Sequence, residues 1–346
     1  MSATPRPSEG LRSAPDRLLE IVGGFSGRRV VVLGDLVADE FLYGDIARVS
    51  REAPVLILEH RQTVAVPGGG ANAVANLRAL GARPIPVGVV GRDESGRRLV
   101  QALRGVGVSV REILSLAGYS TPSKCRVLAG GVHTRRQQIV RIDRGAQHGD
   151  LPPTALRDLR RRLVAALEGA EGLLVADYGY GAASPLALQR LLPGLATRGV
   201  VVSVDSRTRV ADFRGVTACT PNQEELEHAL GLAPLADRDV ARAGRRLLRR
   251  VGNRSVLVTR GAKGMVLFEP GRAPLEIPAF GSGEVADVTG AGDTVIAAYT
   301  LALLCGASCA DAARLANYAA GVVVSKSGTA TTTADELKRA IREDLG

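Results

Sequence analysis

The sequence predicts an α/β fold: a mostly parallel central sheet covered by helices on both faces, with a small β-sheet lid standing off it. Three observations carry this expectation. Short, continuous apolar runs alternate with Ala-, Leu- and Arg-rich stretches of helical spacing, the pattern of strands buried on both faces. Polar or glycine residues stand just past the end of run after run, along the edge where open α/β sheets bind ligands. Residues 41–66 and 113–142 break the alternation and read as extended, hairpin-like strands that together form the lid.

Taken in order, residues 1–20 mix Pro, Ser, Arg and Ala and read as a flexible or partly helical leader. They have no apolar h-region of the signal-peptide kind. Residues 21–346 read as one domain. Val30-Val31-Val32-Leu33 is a strand ending at Gly34-Asp35. Residues 70–80 are a helix, with Ala71, Val74, Ala75 and Leu80 at helical spacing and Gly81 as its stop. Strands at 86–90, 173–176, 200–204, 217–219 and 255–258 end at Gly91-Arg92-Asp93, Asp177-Tyr178-Gly179, Asp205, Thr220-Pro221-Asn222 and Thr259-Arg260-Gly261. Asp35, Asp177, Asp205, Asn222 and Gly261 are thus expected to line one cleft, although each alone is also a good turn former. Within the lid stretches, 55–58, 63–66, 124–128 and 138–142 read as separate strands.

Composition excludes several classes. Net charge is +10, but the chain has only four lysines, 3% aromatics and no Trp, so no stacking platform for bases is expected. Its basic runs, 160–162 and 245–250, sit among leucines as solvated helix faces. No membrane span is expected, since the most apolar window, 295–305, is short. Cys125, Cys219, Cys305 and Cys309 read as reduced thiols of a cytoplasmic protein, and although Cys305 and Cys309 could share a helix face, no nearby His completes a zinc site. His60, His133, His148 and His228 are scattered and read as surface or loop residues. There is no G-x-x-x-x-G-K-[ST], no G-x-G-x-x-G after the first strand and no G-x-S-x-G, which argues against P-loop, Rossmann and hydrolase-elbow chemistry.

Three segments point to chemistry instead. In Asp287-Val288-Thr289-Gly290-Ala291-Gly292-Asp293 a glycine-bearing turn opens an apolar helix. Such a turn aims backbone N–H groups at one point and makes an anion site. The helix dipole is expected to keep Asp293 ionised. N–H donors that stabilise a transferred phosphoryl group, beside a carboxylate that takes a hydroxyl proton, are what phosphoryl transfer needs. The same Asp is also a good helix N-terminal residue. Pro67-Gly68-Gly69-Gly70-Ala71-Asn72 opens another helix, allowing close approach of a ligand. Asn222-Gln223-Glu224-Glu225 begins a helix as a capping box, or organises magnesium and its waters near nucleotide phosphates.

Together, in this order and spacing, the three segments resemble the ribokinase-like (PfkB) carbohydrate kinase family over residues 29–336. The resemblance implies a three-layer ribokinase-like sandwich, ATP and Mg2+ as cofactors, and K+ as a monovalent ion. It implies Asp293 as base, Gly290, Ala291 and Gly292 as anion hole, and Asp39, Gly69, Gly70 and Asn72 on sugar hydroxyls. Arg126, Gln138 and Asp177 are further expected substrate contacts, with Arg48, Arg51 and Lys124 as phosphate contacts. ATP is expected at Asn222, Gln223, Glu224, Glu225, Thr259, Gly261, Asn317 and Gly328. Asn222 and Glu225 would hold Mg2+ through water, and Asp287 and Thr289 the monovalent cation. The lid sheets of such kinases often pair, implying a homodimer, with no nucleic-acid or membrane partner.

Within the family, the likeness is to heptose-phosphate kinases of ADP-heptose biosynthesis. It rests on Gly34-Asp35, Tyr43-Gly44-Asp45, Ser50-Arg51-Glu52-Ala53-Pro54-Val55, Gln137-Gln138, Arg141-Ile142-Asp143, Asp177-Tyr178-Gly179 and Gly328-Thr329-Ala330-Thr331. The acceptor so implied is the anomeric hydroxyl of a heptose 7-phosphate. Two departures leave the acceptor open: Arg51 stands where those kinases usually have Pro, and Tyr180 where they usually have Lys. The sequence stops at Gly346 without a nucleotidyltransferase region, like a stand-alone kinase. A kinase of another sugar or a nucleoside, or a silent sugar- or nucleotide-binding regulator, are the alternatives.

Overall fold

A computed structural model describes residues 14–130, 137–145, 151–183, 185–188, 190–281, 286–326 and 328–345. In chain order the strands are β1 (Arg29–Gly34), β2 (Leu36–Val49), β3 (Leu56–Gly69), β4 (Arg83–Gly91), β5 (Ile113–Leu116), β6 (Ser123–Gly130), β7 (Gln137–Arg144), β8 (Gly172–Asp177), β9 (Val201–Ser206), β10 (Ala218–Cys219), β11 (Ser255–Thr259), β12 (Met265–Phe268) and β13 (Leu275–Ile277). Nine of them form one sheet in the order β13-β12-β11-β10-β9-β8-β1-β4-β5. From β11 to β5 every pairing is parallel, and β12 and β13 close the far edge antiparallel.

The alternation along β1 shows why the sheet is three layers deep. Val30 and Val32 join one buried cluster, Val31 and Leu33 the other, and all four are at most 1% exposed. A strand covered on both faces needs no polar side, so its sequence reads as an unbroken apolar run. The helix Ala291–Leu304 is buried from Asp293 to Leu303, and it packs against the helices Gly70–Ala79 and Cys309–Val324.

The lid is a four-stranded sheet, β3-β2-β6-β7. β2 pairs antiparallel with β3 and parallel with β6, and β6 pairs antiparallel with β7. β1 runs into β2 across the single residue Asp35, so the chain passes directly from the body into the lid. At the base of the lid Leu36 pairs with Gly69. There an added Cβ on Gly70 would stand 3.1 Å from Gly34 Cα, so the helix entry and the strand exit are as close as two backbones can pack.

The structure departs from the sequence expectations in four places. The lid begins at Leu36, not 41, and the two runs at 55–58 and 63–66 belong to one strand, β3. The register shift between Tyr43 and Gly44 leaves Arg61 as an extra residue on β3 and breaks the period that would have joined them. Ile113–Leu116 is not lid: it pairs parallel with β4 as the last strand of the main sheet, where Ile113 is buried. Cys305 caps the helix Ala291–Leu304 while Cys309 opens the next one, so they do not share a helix face. Within the expected leader, the helix Ala14–Gly23 buries Leu18 and Val22; residues 1–13, His133 and His148 lie outside the described residues. No described helix is long and apolar enough to cross a membrane.

Candidate functional site

The ends of β1, β8, β9 and β10 and the start of the helix Ala291–Leu304 converge between the main sheet and the lid. Asp35, at the end of β1, is an anchor. Its buried carboxylate accepts the N–H groups of Tyr178 (2.8 Å), Tyr180 (3.0 Å) and Ala182 (2.9 Å), and thereby fixes the loop that follows β8. Asp177 is similarly committed to the fold: it accepts from Ser206 and from the guanidinium of Arg209.

Asp293 is the centre. Its carboxylate is 3% exposed; Oδ1 accepts the Tyr178 hydroxyl at 2.7 Å and Oδ2 accepts Asn72 Nδ2 at 2.9 Å. Asn72 is held in turn by Asn76, and Asn76 by the Thr294 hydroxyl. The preceding turn demands glycine at one position. Gly290 has φ 80°, and a Cβ there would lie 2.4 Å from Asn72 Nδ2. A Cβ on Gly292 would meet nothing within 4 Å, so the turn's outer side is open. The opening N–H groups of a helix have no intrahelical acceptor; here the Ala291 N–H is taken by Val288 O at 3.3 Å, and the helix dipole favours an anion at the open side.

Burial decides the state of Asp293. Desolvation pushes its carboxyl up to about 6, against the Tyr178 and Asn72 hydrogen bonds that favour the anion. A proton affinity just below neutrality suits a group that must be ionised at rest and accept a proton in turn. Around it, burial holds Asp205 well above the usual carboxylate range, with the Glu225 carboxylate adding to it, and burial also raises Glu225. Burial pulls the Lys124 ammonium down, as does the neighbouring Arg207.

The glycine segment of 67–72 sits opposite. A Cβ on Gly68 would come 2.7 Å from the Asp39 carboxylate, and one on Gly69, with φ 54°, 2.8 Å from Val37 Cγ2. Asp39 takes Arg126 Nη1 at 3.1 Å and the Thr329 hydroxyl at 3.1 Å, which ties the lid to the segment after the helix Cys309–Val324. Arg126 also lies over the Phe41 ring. Gln138 is on β7, exposed along its whole length and two positions further out than Arg126. Arg48 and Arg51 are exposed and are not drawn into this network.

The segment 222–225 forms the capping box: Asn222 Oδ1 accepts Glu225 N–H and Glu225 Oε2 accepts Asn222 N–H, each at 2.8 Å. Gln223 bonds to Glu227 and Leu235, and Glu224 is exposed. Asn222 also bridges Thr259 at the end of β11, beside Gly261 with φ 55°. Asp287 accepts Thr289 N–H and Gly328 N–H. Asn317 donates to Pro278 O. Among the described residues no group of three or more His, Cys, Asp and Glu could hold a metal on its own. The Asp205–Glu225 carboxylate pair fits a hard cation that brings its own waters and phosphate oxygens.

Sequence reasoning missed Tyr178, Arg207 and Thr329 as parts of this centre. Tyr178 and Thr329 stood inside motif strings, and Arg207 follows a strand end by two residues, but which way each side chain points is a tertiary fact.

A family model described as pfkB family carbohydrate kinase matches residues 28–336. The "Bifunctional protein HldE" of Mesorhizobium japonicum is 40% identical over 334 residues, covering 96% of this chain and 66% of that protein. The protein of the same name from Geobacter sulfurreducens is 41% identical over 313 residues, 89% of this chain and 61% of that one. The chain therefore spans less than two thirds of the length of these curated relatives. In fold it is similar to phosphofructokinase-2 from Escherichia coli in complex with substrates and products (TM-score 0.73, 18% identity, 91% of this chain and 99% of that chain). It is likewise similar to ribokinase of Arabidopsis thaliana complexed with ribose and ATP (TM-score 0.68, 22% identity, 92% and 99%).

Proposed function

The chain belongs to the pfkB family of carbohydrate kinases, and we propose that it transfers the γ-phosphoryl group of ATP to the anomeric 1-hydroxyl of D-glycero-D-manno-heptose 7-phosphate, in ADP-heptose-type biosynthesis. The observation that carries this is the fixed carboxylate of Asp293, held between Tyr178 and Asn72 at the mouth of a glycine turn that opens a buried helix. Asp293 takes the hydroxyl proton, the freed oxygen attacks Pγ, the bond from Pγ to the bridging β-oxygen breaks, and ADP leaves with those electrons. The N–H groups at Gly290, Ala291 and Gly292 are the proposed donors to the charge that grows on the transferred group, the Ala291 N–H exchanging its bond to Val288 O for it.

Asp39, Gly69, Gly70 and Asn72 border the sugar, with Arg126 behind Asp39. Lys124 and Arg207, both beside the Tyr178 ring, give an anionic acceptor two cations, in place of the lysine that Tyr180 replaces. Tyr180 itself is 4% exposed and its N–H is bound to Asp35, so it supports the loop. Thr259, Gly261, Asn317 and Gly328 border the nucleotide. Asn222 and Glu225, with Asp205, would hold Mg2+ through water, and Asp287 and Thr289 a monovalent cation such as K+. Bound Mg2+ would neutralise charge on the phosphates. The likeness to HldE proteins and the motif strings favour a heptose acceptor. ATP as donor and four free cysteines among the described residues fit a cytoplasmic enzyme.

A second copy is proposed to pair through the lid. Ile46, Val49, Val55, Leu56 and Val64 on one hairpin and Ile139, Val140 and Ile142 on β7 are exposed, apolar side chains that a lone sheet would leave wet.

The test is an acceptor panel scored by ADP release, with heptose 7-phosphate beside its unphosphorylated analogue, other sugar phosphates and nucleosides. Highest kcat/KM on heptose 7-phosphate is expected. Preference for another acceptor would overturn the heptose assignment while leaving the kinase one, and no ATP consumption with any acceptor would overturn both.

A further inference from the structure

We propose that Tyr178 is the positioning residue for the base: its hydroxyl, donating to Asp293 Oδ1 across 2.7 Å, fixes the plane of the carboxylate and leaves it one orientation from which to accept a proton. The inference rests on the reading of Asp293 as base and adds to it a residue from the opposite side of the cleft.

The hydroxyl is held where it is by the body of the protein. The Tyr178 N–H donates to the buried Asp35, as do the N–H groups of Tyr180 and Ala182 in the same loop. The Tyr178 ring packs against the core cluster that contains the helix Ala291–Leu304. The donor thus stands on the end of β8 and the acceptor on a buried helix, and neither has freedom to drift. With Asn72 on Oδ2, each carboxylate oxygen has one fixed donor, so rotation about the Cβ–Cγ bond would break two hydrogen bonds at once.

The ring's surroundings keep the hydroxyl protonated, so that it can only donate to the carboxylate: burial and the Asp293 and Asp205 carboxylates push the phenol well above its ordinary range, and Arg207 alone opposes them. The Arg207 guanidinium lies 4.8 Å and the Lys124 ammonium 5.7 Å from the ring centroid. Cations over the face of an aromatic ring are attracted to it, which helps hold the ring, and with it the hydroxyl, in place.

The charges facing Asp293 pull in both directions. Asp39 from β2, Asp205 from β9 and Glu225 from the helix Gln223–Leu230 favour its protonated form, as burial does; Arg207 and the donors Tyr178 and Asn72 favour the anion. Tyr178 is the member of that set whose donor can be deleted without changing charge or ring volume.

The experiment is steady-state kinetics across pH on the full chain, with ATP and the best acceptor of the panel. Tyr178→Phe keeps the ring and both cation contacts. It is expected to lower kcat about tenfold, to leave KM for ATP within about twofold, and to move the acid limb of kcat/KM upward by about one pH unit. Incorporating 3-fluorotyrosine at position 178, a stronger donor, is expected to move the limb the other way. A loss of turnover with an unshifted limb would mean a merely structural role and overturn the inference alone, provided Asp293→Asn is inactive. Wild-type turnover in Asp293→Asn would overturn the base assignment and this inference with it. Should Tyr178→Phe fail to fold, the fluorotyrosine protein decides: an unmoved limb overturns the proposal.

Discussion

Asn72 Nδ2 donates to Asp293 Oδ2 at 2.9 Å, joining the first turns of two helices whose residues stand 221 positions apart. The bond makes Asn72 a support for the carboxylate as well as a neighbour of the proposed sugar site. The two roles separate in kinetics. Asn72→Ala leaves a buried carboxylate oxygen without its donor, and is expected to lower kcat by about 10- to 100-fold, with a smaller rise in the acceptor's KM. A change confined to KM would show that the amide serves only the sugar.

Gly290 enforces the same contact from the other side. An alanine there must adopt φ near the observed 80° and place its Cβ 2.4 Å from Asn72 Nδ2. Gly290→Ala is expected to destabilise the fold by about 1–3 kcal/mol and to lower kcat at least tenfold by displacing the amide. Gly292→Ala is the control, because its Cβ meets nothing within 4 Å. It should fold as wild type in urea titrations, and any loss should lie in ATP turnover. Equal destabilisation by the two substitutions would refute this account.

How much of this was legible beforehand varies with the range of the interaction. The parallel sheet was readable because strands such as β1 are buried on both faces, and burial writes itself as continuous apolar sequence. The lid's strands were not, because the register shift at Tyr43/Gly44 interrupts the period of β3, and because a short strand such as β5 looks the same in either sheet. Asp293 was readable from its own neighbours: glycines before it, an apolar helix after it. Its donors were not. Tyr178 and Asn72 approach from β8 and from the helix Gly70–Ala79, and no local pattern encodes which way a phenol or an amide turns. The electrostatics share that limit, since a helix dipole is visible in sequence and a desolvation cost is not.

The proton affinity of Asp293 gives a prediction on stability with a definite sign. Its carboxyl is pushed up to about 6 in the folded chain, whereas an unfolded Asp titrates near 3.9. Between about pH 4 and 6 the native state binds the extra proton, so stability falls as pH rises through that window, and the cost is fully present above it. Asp293→Asn removes that cost. The variant should therefore be more stable than wild type at pH 8, by at most about 3 kcal/mol, and the gain should vanish near pH 4. Urea midpoints at the two pH values check this. In wild type, the acid limb of kcat/KM should lie near pH 6.

Glu225 has two duties that one substitution can divide. Its Oε2 accepts Asn222 N–H in the capping box, a contact the carboxamide oxygen of Gln reproduces. Its charge stands beside Asp205, where a hard cation would sit. Glu225→Gln should keep the unfolding midpoint within about 0.5 kcal/mol or raise it, and should increase the Mg2+ concentration needed for half-maximal turnover severalfold. Asn222→Ala should lose about 1 kcal/mol of stability through the lost cap. If Glu225→Gln behaves as wild type over a Mg2+ titration, the residue is a cap and nothing more.

The lid offers the last test, because its exposed apolar residues distinguish a paired from a lone sheet. Val140 is 47% and Ile142 43% exposed on β7, and Val49 is 58% exposed on β2. If a second copy covers them, wild type should sediment as a dimer, and Val140→Glu, which buries a charge at that contact, should sediment as a monomer. The substitution lies on the lid's exposed β7 strand, outside the Asp293 network, so ATP turnover at saturating acceptor should fall only as far as the lid depends on its partner for rigidity. Arg126, two register positions nearer the body than Gln138, is fixed by Asp39 rather than by any second copy, so the acceptor's KM should rise less than it does in Arg126→Ala. A monomeric wild type at micromolar concentration would remove the dimer and leave the kinase centre as described.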